Sequence, residues 1–282
     1  MLKSITNLLC IFFLLITYTN IFGDNLNTIK ERTFQISPGK NLKVDASSGS
    51  VSVTSWDKNE VYIKILGNEK AEDKMEFKFY SNDEKVEVVA KRKHSLFGWF
   101  TSGIKLHFEI KVPRKFNVNV ETGGGSIYTE DISGSLDLST SGGSIKFENV
   151  EGVFDVSTSG GSITGINFKG DLDASTSGGS LNFVGSDSKI KATTSGGSIS
   201  LDYDGINKGI YLSTSGGGIR ITLPEDFNAS AKMYTSGGRI SCDLTANHAK
   251  KISSTRFEAD LNEGGNPLYA ETSGGSITVS KK

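Results

Sequence analysis

"TSGGSI", residues 140–145, decides the fold, because the chain returns to nearly the same words throughout its length. It reads TGGGSI at 122, TSGGSI at 158, 194 and 272, TSGGSL at 176, TSGGGI at 214 and TSGGRI at 235. From 122 to 194 the step is a strict 18 residues, followed by steps of 20, 21 and 37. A short fixed period marks a solenoid, in which each unit packs mainly on its neighbours.

Aligning the units on their threonines exposes apolar columns. Four residues before the threonine stand Val118, Leu136, Phe154, Leu172, Ile190, Ile210, Ala231 and Leu268. Two before, the column runs from Val120 and Leu138 to Met233 and Ala270, and Ile or Leu follows every corner, from Ile127 to Ile277. Two positions further on come Thr129, Phe147, Gly165, Phe183, Leu201, Ile221, Cys242 and Val279. Period-two alternation of this kind predicts strands, and stacking them about 4.8 Å apart turns each column into a ladder through a narrow core. The glycine pair is expected to turn a sharp corner through backbone angles that other residues tolerate poorly. Ser and Thr beside it can bond locally or to the next coil.

The flanks depart from the period. "ASSGSV" at 46–51 fits the register, with Leu42, Val44, Val51 and Val53 in the apolar columns. Longer alternating strands, "EVYIKIL", "EFKFY", "KVEVVA" and "KLHFEIKV", occupy 54–117 and read as wide coils or a cap over an exposed edge. "ISSTRF" at 252–257 is a weak candidate for a corner missing from the 37-residue step, and the lysines of "TVSKK" are expected to guard the C-terminal edge. Residues 1–23 combine Lys3, the apolar run "LLCIFFLLI" and Gly23, the outline of a cleaved export signal, although Ile21 is large for the cleavage site. An uncleaved anchor is the alternative there. Cleavage would leave Cys242 as the sole cysteine, so no intrachain disulfide forms, and an inert buried thiol is expected. No later stretch approaches the ~20 apolar residues of a membrane helix. A formal net charge of −1 offers no electrostatic grip on nucleic acid.

"EIKVPRKFNVNVETGGGSI" at 109–127, the repeated corners and the closing "LNEGGNPLYAETSGGSITV" resemble the bacterial "putative-adhesin" family of exported β-strand-repeat proteins of unknown function. The resemblance covers about residues 40–282. It implies an exported or envelope-exposed β-solenoid, a right-handed parallel β-helix, and brings no catalytic residues.

The search for chemistry gives two candidates. The corners lead into strands without a lysine, unlike phosphate loops, and lack the aspartate of calcium-binding glycine repeats. His94, His107 and His248 are scattered, so no zinc spacing exists and no metal or cofactor is expected. One outward column, three residues before the threonines, reads Asn119, Asp137, Asp155, Asp173, Lys191, Tyr211 and Lys232. Three aspartates about 5 Å apart repel one another. Solubilising decoration is the plainer reading of Asp137, Asp155, Asp173 and Lys191; cation or glycan binding, or polysaccharide cleavage, is the sharper one. The second candidate, "KRKHSLFGWFTSG" at 91–103, offers Phe97, Trp99 and Phe100 either as a ligand contact or, the favoured reading, as a plug over the solenoid end.

The sequence therefore predicts an all-β solenoid with ~18-residue coils: a signal peptide at 1–23, a β-rich cap and first coil at 24–117, and repeat coils at 118–282. The expected function is non-enzymatic, an adhesion or scaffold module meeting surface glycans, envelope proteins or copies of itself in the periplasm, at the cell surface or in the extracellular space. The alternative is a glycan lyase or hydrolase using the acidic column.

Overall fold

Threonine, glycine and serine recur every coil because the same corner is stacked on itself. The computed structural model describes residues 26–93 and 103–282 of the chain; the expected leader at 1–23 lies outside them. Each regular coil runs along one face, turns at the glycine corner, returns along the opposite face and turns again. The segments Ser133–Thr140, Ile145–Thr158 and Ile163–Thr176 pair in parallel, with Leu136 opposite Phe154 and Phe154 opposite Leu172. The apolar columns point inward: Phe147, Phe154, Leu172 and Ile199 are all buried, as the periodicity required. Phe147, Phe154, Phe168 and Phe183 fill the middle of the core, with Phe147 and Phe168 edge-to-face at 5.7 Å. Gly165 makes room for them, since a Cβ there would sit 2.4 Å from the Phe147 ring.

The corner works differently from the sequence-based expectation. In the regular coils the second glycine of the pair is needed for close approach and not for a left-handed backbone. A Cβ on Gly143, Gly161, Gly179 or Gly197 would lie 1.9–2.0 Å from the glycine carbonyl of the coil beneath. None of these four glycines has a φ in the left-handed range. The first glycine is freer: a Cβ on Gly142 meets nothing within 4 Å. The threonine is buried and bonds across coils, its hydroxyl donating to that carbonyl from Thr140 to Gly125 at 2.9 Å and from Thr158 to Gly143 at 2.8 Å.

A second corner escaped the sequence reading. Asp131, Asn149, Asn167 and Asp187 adopt φ of 59°, 53°, 53° and 48°, the left-handed region that short polar side chains tolerate best. Asn167 donates its amide to the Asn149 carbonyl oxygen one coil away at 2.7 Å. Gly134, Gly152 and Gly170 follow with positive φ, each stacked on the last.

The coils do not stack in chain order. The first coil, Asn41–Ala46 and Ser50–Trp56, lies between the strands Lys85–Arg92 and Leu106–Pro113 on one side and Asn117–Thr122 and Ile127–Glu130 on the other. The last coil, Pro267–Thr272 and Ile277–Lys281, is inserted in the same way between 210–223 and 229–242. The first and last coils are therefore each held by neighbours on two sides. Lys281 and Lys282 do not guard an edge; they reach back to Glu225, Asp202 and Asp204. Burial pushes the Cys242 thiol pKa up, yet Cys242 and Ile240 are only half-buried, because their strand has become the last one on its face.

Antiparallel strands close the stack. Asn27–Gln35 pairs with Glu60–Gly67, and Met75–Ser81 with Lys85–Arg92, which gives the expected N-terminal cap. At the other end Ala246–Ile252 and Arg256–Leu261 form a hairpin against Ala229–Thr235. Residues 253–255 are thus a hairpin turn, correcting the expectation of a coil corner there; His248 and Lys250 are exposed, so the segment has no inward face to place in a coil. Lys30, Glu31 and Arg32 on the first edge, and Lys250 and Lys251 on the second, discourage further strand pairing.

The corner geometry makes a sharp comparison possible. Gly161→Ala should cost about 1–3 kcal/mol, because the added methyl must displace stacked backbone. Gly160→Ala, whose Cβ would have its nearest neighbour 3.7 Å away, should stay within about 0.5 kcal/mol of the parent. Urea denaturation of the two variants measures the difference, and equal effects would rule out the close-approach explanation.

Candidate surface on the repeat face

Alternation along each strand that precedes a glycine corner turns one residue outward three positions before the threonine. Stack register then sets these residues side by side. Asp137 lies opposite Asp155, Asp155 opposite Asp173, and Asp173 opposite Lys191, so the four candidates do form one column. The flanking members are engaged. The Asn119 amide donates to Asp137 Oδ2 at 2.6 Å, and Lys191 Nζ donates to Asp173 Oδ2 at 2.8 Å.

Asp155 in the middle bonds to no described residue. Its carboxyl is held above the ordinary carboxylate range by partial burial first, then by Asp137 and Asp173, with Lys191 opposing. Repulsion within the column is thus relieved by an amide at one end and an ammonium at the other. Among the described residues no group of three or more His, Cys, Asp or Glu is placed to hold a metal ion. A single straight column also lacks the convergence that a cation needs from its ligands.

The column continues past the acidic stretch. Lys191 lies opposite Tyr211, Tyr211 opposite Tyr269, and Tyr269 opposite Lys232. Tyr269 was missing from the sequence reading, which placed Lys232 directly after Tyr211. Its offset from Thr272 matches that of the other column members, but its place between Tyr211 and Lys232 depends on the inserted last coil. Tyr234 stands in the adjoining outward column, with its ring centroid 5.9 Å from that of Tyr269 and the Arg256 guanidinium 5.2 Å above it. The phenols of Tyr234 and Tyr269 donate to Glu258 and Glu271. Those bonds help hold both phenols protonated, with the Tyr269 pKa pushed up to about 12.

Beside this column a shallow groove of about 480 Å³ follows the glycine corner, lined by Asp45, Lys91, Glu121, Ser139, Ser157 and Ser175 among others. Phe97, Trp99 and Phe100 lie outside the described residues. Of the segment's surroundings, the Asn68 amide donates to the Gly103 carbonyl at 2.8 Å, beside the short helix Glu69–Lys74 that Asn68 caps.

The Toastrack DUF4097 family model matches residues 39–280. No curated relative matches the chain. A "putative cell adhesion protein" from Clostridium sporogenes is 15% identical, with 91% of this chain and 100% of that one covered and a TM-score of 0.29. A "putative adhesin" from Bacteroides fragilis is 9% identical over 89% and 96% of the two chains, with a TM-score of 0.34. A "putative lipid binding protein" from Parabacteroides distasonis is 14% identical over 90% and 96%, with a TM-score of 0.32. At these scores the likeness bears on neither ligand nor site.

Asp155 provides a pH test. A carboxyl with a higher pKa in the folded state keeps its proton longer there, so stability falls as pH rises through that raised value. Asp155→Asn removes the penalty. Being exposed and screened, it should gain no more than about 0.5 kcal/mol at neutral pH, and the gain should vanish below about pH 3. Thermal unfolding from pH 3 to 7 measures this; a variant less stable at neutral pH would mean the carboxylate is held by a favourable partner.

Proposed function

The chain belongs to the Toastrack DUF4097 family, and from its apolar leader and repeated outer face we propose an exported, non-enzymatic β-solenoid, an adhesion or scaffold module of the cell envelope. In this reading residues 1–23 direct export, 24–117 supply the cap and first coil, and 118–282 supply the repeat coils. No helix of the described residues is long and apolar enough to cross a membrane. Retention at the envelope then depends on contacts made by the folded coils or on an uncleaved leader.

The observation that carries the reading is the continuous outward column from Lys43 through Asn119, Asp137, Asp155, Asp173 and Lys191 to Tyr211, Tyr269 and Lys232. A rigid row of polar and aromatic groups at strand spacing can meet a repeating ligand many times at once. Weak single contacts then sum to useful avidity. Surface glycans and envelope proteins are the ligands such a face suits.

A second reading, polysaccharide cleavage, is favoured by one observation, the raised pKa of Asp155 between two other carboxyls. A proton donor in that position would need a neighbouring base, and Asp137 and Asp173 are already bonded to Asn119 and Lys191. The binding reading therefore uses the column as it stands.

Cell fractionation with a C-terminal tag should place the chain outside the cytoplasm. A glycan array and an envelope pull-down should then show salt-sensitive retention without consumption of the ligand. Cytoplasmic residence would overturn the proposal. Release of shortened saccharides, lost in Asp155→Asn, would establish the enzyme instead.

A further inference from the structure

Coil order is the one feature of the stack that strand pattern does not demand. The last coil is not the outermost; it lies between the coil 210–223 and the coil 229–242, paired in parallel with both. Five residues, 205–209, join two coils one step apart. Five residues, 224–228, also join the two coils that the last coil separates. A connection of this length thus reaches across one step or two, and the gap is a slot that a separate strand pair completes.

The slot holds its occupant by specific contacts. Thr272 donates to the Gly217 carbonyl at 2.7 Å and Thr235 to the Gly275 carbonyl at 2.6 Å, one bond to each wall. The buried Asn207 donates its amide to the Asn266 carbonyl at 2.8 Å, and the Asn266 amide donates to the Asn207 carbonyl at 2.8 Å. Lys281 pairs with Glu225 at 2.7 Å and Lys282 with Asp204 at 2.6 Å. Leu268, Ala270, Ile277 and Val279 are buried in the slot. Every one of these polar partners lies between residues 204 and 235, ahead of the hairpin that leads to the last coil.

The link into the slot is short and rich in glycine. Residues 262–266 pass the start of Ala229–Thr235, from the hairpin on one side of that strand to the last coil on the other. Gly264 and Gly265 have φ of 78° and 126°, and a Cβ on Gly265 would meet nothing within 4 Å.

We propose that the slot is a strand-exchange site, filled by the last coil of a second copy of this chain as well as by the chain's own. Rotation about Gly264 and Gly265 sends the coil into the neighbour's slot, and the neighbour's coil fills the one left open. The product is a two-fold dimer whose slot contacts are those of the single chain. The link, at most about 17 Å when extended, sets the copies side by side along the corner that holds Asn207 and Asn228. Because the coil buries four apolar side chains, exchange takes place while two chains fold together. The proposal does not rest on the envelope reading, since a cytoplasmic chain would exchange in the same way.

Thr222 and Ser280 lie opposite each other across one wall of the slot, on strands about 4.8 Å apart, close enough for a disulfide. With Cys10 and Cys242 replaced by serine, one tagged copy carries Thr222→Cys and a differently tagged copy Ser280→Cys. The two are refolded together from urea, oxidised and run on a non-reducing gel. Hybrid dimers should form, in a fraction that rises about in proportion to concentration while it is small. A partner with Asp137→Cys in place of Ser280→Cys measures chance collision and should link far less. Deleting Gly264 and Gly265 should raise the hybrid fraction severalfold, because a shortened link cannot lead the coil back to its own slot.

Hybrid dimers no more abundant than the collision control, at every concentration and with either link, would overturn the proposal. Size-exclusion chromatography of the parent chain, refolded over the same concentrations, needs no substitution. A dimer that persists on dilution is expected there, and a single monomer peak throughout would equally overturn it.

Discussion

Everything in this protein rests on one contact, the hydroxyl of a buried threonine donating to a glycine carbonyl in the next coil. The bond recurs from Thr122 to Gly49, Thr176 to Gly161, Thr194 to Gly179, Thr214 to Gly197, Thr272 to Gly217 and Thr235 to Gly275. From Thr140 onward each corner threonine also accepts from the amide of a glycine in its own corner, as Gly179 donates to Thr176 at 3.4 Å. One such bond is worth about 0.5–1.5 kcal/mol net. Its larger effect is on register. The hydroxyl fits only when glycine stacks on glycine, which aligns every apolar column above and below. A one-residue slip would turn the inward columns out to water.

The same ladder shows that the order of the stack is spatial. Thr122 bonds to Gly49 and Thr272 to Gly217, partners 73 and 55 residues away, because the first and last coils are inserted one place inward. Terminal coils in a simple stack have one neighbour and fray. Here each end segment is hydrogen-bonded on two sides, and the exposed flanks are given to antiparallel strands with charged edges. Phe116, Phe154 and Phe168 belong to one continuous core that runs into both closing layers.

That architecture shapes the functional surface. Flat faces with fixed strand spacing leave few concave places, so recognition falls to columns of outward residues. The chemistry changes along the column, from Asn119 through three aspartates to lysine and two tyrosines on neighbouring strands. Insertion of the last coil is what sets Tyr269 against Tyr211 and so joins two aromatic residues 58 positions apart.

Much of the fold was legible in the chain itself. An 18-residue period, period-two alternation and an invariant T-x-G-G corner determine parallel strands, their inward faces and the alignment of Asp137, Asp155, Asp173 and Lys191, because regular stacking converts equal offsets into adjacency. The second corner was weaker to read, since aspartate, asparagine and glycine there vary in spacing: Asp187 arrives two residues later than the 18-residue period of Asp131, Asn149 and Asn167 requires. Coil order could not be read, because the repeats are nearly interchangeable and any one can lie on any other. Tertiary structure decided it, through long-range pairings that bury both terminal coils, and with it the proximity of Tyr211, Tyr269 and Lys232. Local pattern fixes what each coil looks like; only the closing of the whole stack fixes which coils are neighbours.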